Sequence, residues 1–88
     1  MKILKCASAG TLESSDAYVE IEPGVGEVSI HVESVVEKQF GEKIRAAVKD
    51  VLSEHGVDAV LIRVIDRGAL ECVIRARVET AILRGKGD

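Results

Sequence analysis

Ala17-Tyr18-Val19-Glu20-Ile21-Glu22-Pro23-Gly24-Val25-Gly26-Glu27-Val28-Ser29-Ile30-His31-Val32-Glu33 alternates twice with a period of two. In the first run Ala17, Val19 and Ile21 share one face, and Tyr18, Glu20 and Glu22 the other. In the second, Val28, Ile30 and Val32 face inward. A helical repeat would scatter these residues around its axis, so both runs read as half-buried strands. Pro23-Gly24-Val25-Gly26 between them is turn chemistry, which predicts a hairpin. A weaker strand over roughly residues 2–9 precedes the pair. Between it and the hairpin, Gly10-Thr11-Leu12-Glu13-Ser14-Ser15-Asp16 is polar, without a period that would bury it, and reads as an exposed loop.

Downstream, a helix is expected from Ser34. Ser34-Val35-Val36-Glu37 has capping-box spacing, with the hydroxyl taking an orphan amide and Glu37 returning a bond. Val36, Phe40, Ile44, Ala47, Val48, Val51 and Leu52 then form one buried stripe, and Gly56 after His55 supplies the stop. The run from Val57 to Ile65 is apolar on both faces except at Asp58 and Arg63, which fits a central strand buried on both sides. After the Asp66-Arg67-Gly68 turn, residues 69–84 carry both periods. Cys72, Ile74, Ala76 and Val78 alternate, while Leu70, Val73, Ile74, Arg77, Val78, Ala81 and Ile82 fit a helix. About fifteen residues without Gly or Pro exceed ordinary strand length, so a helix is predicted. The order β-β-β-α-β-α gives an α+β fold, a small mixed sheet with two helices packed on one face.

The 88 residues are 47% hydrophobic and 31% charged with one proline, a composition that excludes disordered and low-complexity chains and predicts a single domain over residues 1–88. Tyr18 and Phe40 are the only aromatics, so the core must be aliphatic and no platform exists for stacking bases. A formal charge of -3 without a Lys/Arg cluster argues against nucleic acid as a partner. No apolar run approaches the roughly 18–20 residues that span a bilayer or the profile of a signal peptide, so a cytoplasmic protein with no membrane association is expected. Cys6 and Cys72 are expected to be reduced thiols.

The residues offer little to a catalyst. His31 falls on the solvent side of a strand and His55 at a helix end, and each reads as a surface residue. Neither cysteine belongs to a C-x-x-C pair, and Glu20 and Glu22 lie on an exposed strand face, so no metal ligand set and no catalytic residue is assigned. Gly24-Val25-Gly26 lacks the third glycine and the following helix of a phosphate cradle. Arg75, Arg77 and Arg84, interleaved with Glu71 and Glu79, fit a solvated helix face, and Glu13 and Asp16 fit solvated loop charges. An anionic partner on the Arg75 and Arg77 face stays open as a second reading. Ser14 and Ser15 read from composition as turn residues. With no His or Lys close in sequence, any chemistry on them must be supplied in trans.

Three stretches change that reading: Gly10-Thr11-Leu12-Glu13-Ser14-Ser15-Asp16, Ser34-Val35-Val36-Glu37-Lys38-Gln39-Phe40-Gly41, and Asp66-Arg67-Gly68-Ala69-Leu70-Glu71-Cys72-Val73-Ile74-Arg75-Ala76-Arg77-Val78-Glu79. In this order, and over essentially the whole chain, they resemble the citrate lyase acyl carrier proteins, the gamma subunits of that enzyme. The resemblance implies that Ser14, the serine of the Glu-Ser pair, carries a covalent phosphoribosyl dephospho-coenzyme A arm in phosphodiester linkage, attached by a dedicated prosthetic-group transferase. Members of the family often have Gly where this chain has Ser15. The implied partners are the citrate lyase alpha subunit, which exchanges acetyl for citryl on the arm's thiol, and the Mg²⁺-dependent beta subunit, a lyase that releases oxaloacetate. The carrier itself is then non-catalytic and serves bacterial citrate fermentation. The carrier subunit of malonate decarboxylase resembles the family in fold and prosthetic group, and the residues at 34–41 favour citrate lyase over it. A small non-catalytic interaction domain is the reading that holds if Ser14 is never modified. The Asp-Ser-Leu motif of the all-helical phosphopantetheine carriers is missing, and the strand alternation contradicts their fold.

Overall fold

The computed structural model describes residues 1–35 and 37–87, with the backbone course alone at 37–39. Its elements are β1 (Ala7–Gly10), β2 (Ala17–Pro23), β3 (Val28–Ser34), α1 (Glu37–Glu54), β4 (Val60–Asp66) and α2 (Glu71–Gly85), the predicted order. The ambiguous stretch 69–84 is helical, and the whole is a small α+β fold with a mixed sheet.

The sheet order is β1-β2-β4-β3, and here the expected hairpin fails. β2 and β3 never pair. β4 lies between them, antiparallel to β2 and parallel to β3, so that Val60 is opposite Pro23 on one side and Val28 on the other. The Gly24–Glu27 link therefore straddles the start of β4, and Val60 N donates to Glu27 O at 3.0 Å. Gly24 permits the crossing, since a Cβ there would lie 2.4 Å from Val60 N. A turn signal says that the chain reverses. It does not say which strand fills the gap, and β4, with Val60, Ile62 and Val64 on one face, buries most by taking the centre.

Both helices cover one side of the sheet. Val19 and Ile21 from β2, Val32 from β3 and the inward residues of β4 meet Ile44, Val48, Val51 and Leu52 of α1 and Ile74, Val78, Ala81 and Ile82 of α2. The opposite face is open. β4 is accordingly central but not buried on both sides: Leu61 is 42% exposed and Arg63 lies in solvent, 3.3 Å from Glu20 and 3.9 Å from Glu33. Val28 near the start of β3 is exposed as well.

Three further expectations need correction. The first strand begins at Ala7 rather than near residue 2, because Leu4 N and Lys5 N are both committed to Gly85 O at the end of α2 and Ile3 drops into the core. The first helix starts at Glu37. Ser34 ends β3, and its Oγ donates to Asp66 Oδ2 at 2.8 Å. The expected return bond from the Glu37 side chain, and Val36 in the apolar stripe, lie outside the described residues. Phe40 is 43% exposed at the mouth of a cleft of about 140 Å³ between α1 and α2, with Lys43 Nζ 5.9 Å from its ring centre. The stripe is carried without it by Ile44, Ala47, Val48, Val51 and Leu52. α1 ends at Glu54, and Gly56 N and Val57 N close its last turn on Ser53 O and Leu52 O.

Candidate functional site

Residues 11–16 join β1 to β2 at the end of the sheet where β4 delivers Asp66 and the chain turns towards α2. Asp16 N donates to Glu13 O at 3.2 Å, which closes a β-turn with Ser14 and Ser15 at its centre. Ser15 takes φ 67°, the only non-glycine with positive φ among the described residues. A turn of this kind asks for glycine at its third position, and Ser15 holds that conformation at a steric cost. Ser15→Gly is expected to raise stability by about 0.5 kcal/mol, relief of the left-handed penalty outweighing the added unfolded-state entropy. Urea unfolding checks this, and a loss of stability would contradict it.

The turn is pinned from both sides. Ser15 N donates to Arg67 O at 2.8 Å, and Arg67 N donates to Asp16 O at 2.9 Å, so the β1–β2 loop and the β4–α2 link hold one another. Asp16 is the knot. Its carboxylate takes a fork from Arg77, with Nε to Oδ1 and Nη2 to Oδ2 each at 3.0 Å, together with Thr11 Oγ1 at 2.6 Å and Ala17 N at 2.7 Å. Thr11 Oγ1 in turn accepts from Glu13 N at 3.2 Å. Asp16 is thus a structural anchor and not the solvated charge that its loop position suggests. Arg77, expected on a solvated helix face, is its partner from 61 residues away.

These contacts hold the Asp16 carboxyl well below the usual carboxylate range, chiefly through the Arg77 hydrogen bonds, then through Thr11 and the Ala17 amide. A lowered folded-state pKa contributes stability that is present above the ordinary Asp value of about 3.9 and is lost as pH falls through the lowered one. Between pH 5 and pH 2 the wild type is therefore expected to lose more stability than Asp16→Asn, and the amides of Ser15 and Arg67 to lose protection against exchange relative to their intrinsic rates. Equal losses in both proteins would show that the knot does not titrate.

Ser14 stands at the apex, exposed, and no hydrogen bond among the described residues engages its hydroxyl. Its two neighbours are both tied down, so the rest of the loop fixes the serine and leaves its oxygen open. The remaining candidates lie elsewhere. His31 is on the open sheet face near Glu33, His55 is 3.7 Å from Glu79, and Cys6 and Cys72 are free and exposed. Arg75 bonds Asp50 and Glu71, and Arg84 bonds Ser8 O, so the expected basic helix face is occupied internally. The resemblance singled out Ser14, but the sequence did not reveal the frame around it, because Thr11, Asp16, Arg67 and Arg77 meet only across the fold.

Residues 5–85 match the family model described as the malonate decarboxylase delta subunit, an acyl carrier protein family. The citrate lyase acyl carrier protein of Albidiferax ferrireducens is 52% identical over all of this chain and 91% of its own length, and that of Haemophilus influenzae 51% over all of the chain and 92% of its own. The chain belongs to the citrate lyase acyl carrier protein family. One chain of the crystal structure of a Pseudomonas malonate decarboxylase hetero-tetramer in complex with malonate superimposes with a TM-score of 0.77 at 26% identity, over 96% of this chain and 91% of that one. Among the described residues no helix is long and apolar enough to cross a membrane.

Proposed function

We propose that this protein is the non-catalytic acyl carrier subunit of citrate lyase and that Ser14 Oγ is the attachment point of a phosphoribosyl dephospho-coenzyme A arm. The observation that carries the reading is an exposed serine hydroxyl, without a hydrogen-bond partner among the described residues, at the apex of a turn whose flanking residues are anchored. That arrangement fits the group. The arm needs an accessible oxygen and a fixed base, not a cavity, and the turn offers both.

When bound, the group supplies a terminal thiol for thioester chemistry, which lets a carbonyl take up electrons as a carbon–carbon bond breaks. The chain's own part is presentation. A fixed anchor with a free arm raises the effective concentration of the acyl unit at two partner sites in turn. Ser14 has no base at hand, so the transferase must deprotonate it. The alpha and beta subunits of citrate lyase are the partners this role requires, in the cytoplasm, with one carrier domain spanning residues 1–88.

The malonate decarboxylase carrier is the second reading, favoured by the family model's description and by the superposition at TM-score 0.77. Identities near 50% to citrate lyase carriers against 26% to that chain weigh for citrate. Reconstitution separates them. The loaded protein, its thiol acetylated and mixed with citrate lyase alpha and beta subunits, should restore cleavage of citrate to acetate and oxaloacetate, and should give no carbon dioxide from malonate with the malonate decarboxylase subunits. The reverse outcome would replace the first reading with the second.

A further inference from the structure

Five of the six arginines already have a partner for the guanidinium among the described residues. Arg45 donates to Ile30 O, Arg63 sits beside Glu20, Arg75 bonds Asp50 and Glu71, Arg77 holds Asp16, and Arg84 donates to Ser8 O. Arg67 has none, and it is exposed. Its main chain, however, is held at both polar groups, by Ser15 N on its carbonyl and by its own N–H on Asp16 O. The fold therefore sets one unpaired cation directly across from the Ser14–Ser15 turn. The other charged groups at this end are Glu13 and Asp16 on the loop, Arg77 from α2, which already neutralises Asp16, and Asp66 at the end of β4, which is buried and held by Ser34 Oγ and Ala69 N. An anion placed on Ser14 would meet the negative charge of Glu13 with only Arg67 left to offset it.

We propose that Arg67 is an anion-binding residue for a phosphate ester on Ser14, its guanidinium closing over the turn to pair with the phosphate oxygens. The planar fork of an arginine suits two oxygens of one phosphate, and a main chain fixed beside the turn reduces what must be ordered to form the pair. This rests on the reading that Ser14 is esterified through phosphate. It adds a residue that shields the linkage and limits the directions the first atoms of an arm can take.

The test uses the full chain with phosphoserine encoded at position 14, and phosphorus NMR to follow the second ionisation of the phosphate, ordinarily near pH 6. Arg67→Gln should raise that pKa by about 0.3 to 0.7, a two- to fivefold change in proton affinity expected of an exposed ion pair. Arg67→Lys should recover part of the difference, and high salt should shrink it. Arg63→Gln, on the open sheet face, removes the same net charge and should leave the pKa in place. The Arg67 side chain makes no internal bond among the described residues, so the variants should melt with the wild type. Equal pKa values for the wild type and Arg67→Gln, or equal rises in Arg67→Gln and Arg63→Gln, would overturn the proposal. Loading of Ser14 is read separately by mass, so a missing pKa rise with loading intact removes the Arg67 assignment alone.

Discussion

Gly10→Ala should cost about 3 kcal/mol or more, a drop in Tm of about 12–24 °C for a domain of this size, and should loosen the Ser14 turn before the core gives way. Gly10 ends β1 at φ 94°, where a side chain is strained in any surroundings. The surroundings make it worse. A Cβ at position 10 would lie 1.9 Å from Ala17 O and 3.1 Å from Arg77 Cδ. The first contact is with backbone, which cannot swing aside, and the second is with the stem of the arginine that holds Asp16. The substitution thus presses on the first residue of β2 and on the knot together. Urea unfolding gives the loss, and hydrogen exchange at Ser15 and Arg67 locates it. A loss below about 1 kcal/mol would mean that the loop has room the geometry denies.

Asp66→Ala is the second large effect, expected near 3 kcal/mol. Asp66 is 2% exposed and the one buried charged residue among those described. Its Oδ2 accepts from Ser34 Oγ at 2.8 Å and its Oδ1 from Ala69 N at 2.8 Å, tying the end of β3 and the approach to α2 to the end of β4. Alanine leaves the Ala69 N–H without its acceptor and deletes the bond from Ser34, which costs more than the carboxylate's contacts alone would suggest. Asp66→Asn keeps one acceptor and should fall between. Because Arg67 follows directly and carries two bonds to the Ser14 turn, Ser15 exchange should quicken in Asp66→Ala. A variant as stable as the wild type, with Ser15 still protected, would show that the turn does not depend on this anchor.

What could be read from the chain alone followed the range of each signal. Period-two runs at 17–22 and 28–32 and the stripe from Ile44 to Leu52 are local, and each became the element expected. Pairing is not local. Nothing within residues 17–33 reveals that β4, about thirty residues on, will part the two strands, so the turn at 23–26 reads as a hairpin when it is a bridge over β4. Ser34 shows the same limit. Nothing in its own neighbourhood reveals that its hydroxyl will donate to a carboxylate brought in from residue 66. At the site, exposure of residues 11–15 was legible from their polarity. The Asp16–Arg77 fork joins residues 61 apart and leaves no mark in either neighbourhood. The positive φ of Ser15 was not legible, since serine itself carries no such signal.

The central claim is that Ser14 carries the arm, and intact-mass analysis of the protein co-expressed with its prosthetic-group transferase tests it most directly. The account predicts one added phosphoribosyl dephospho-coenzyme A on the wild type and on Ser15→Ala, assigned to Ser14 by fragmentation, and none on Ser14→Ala. Survival of the full increment in Ser14→Ala, with its loss in Ser15→Ala, would contradict it.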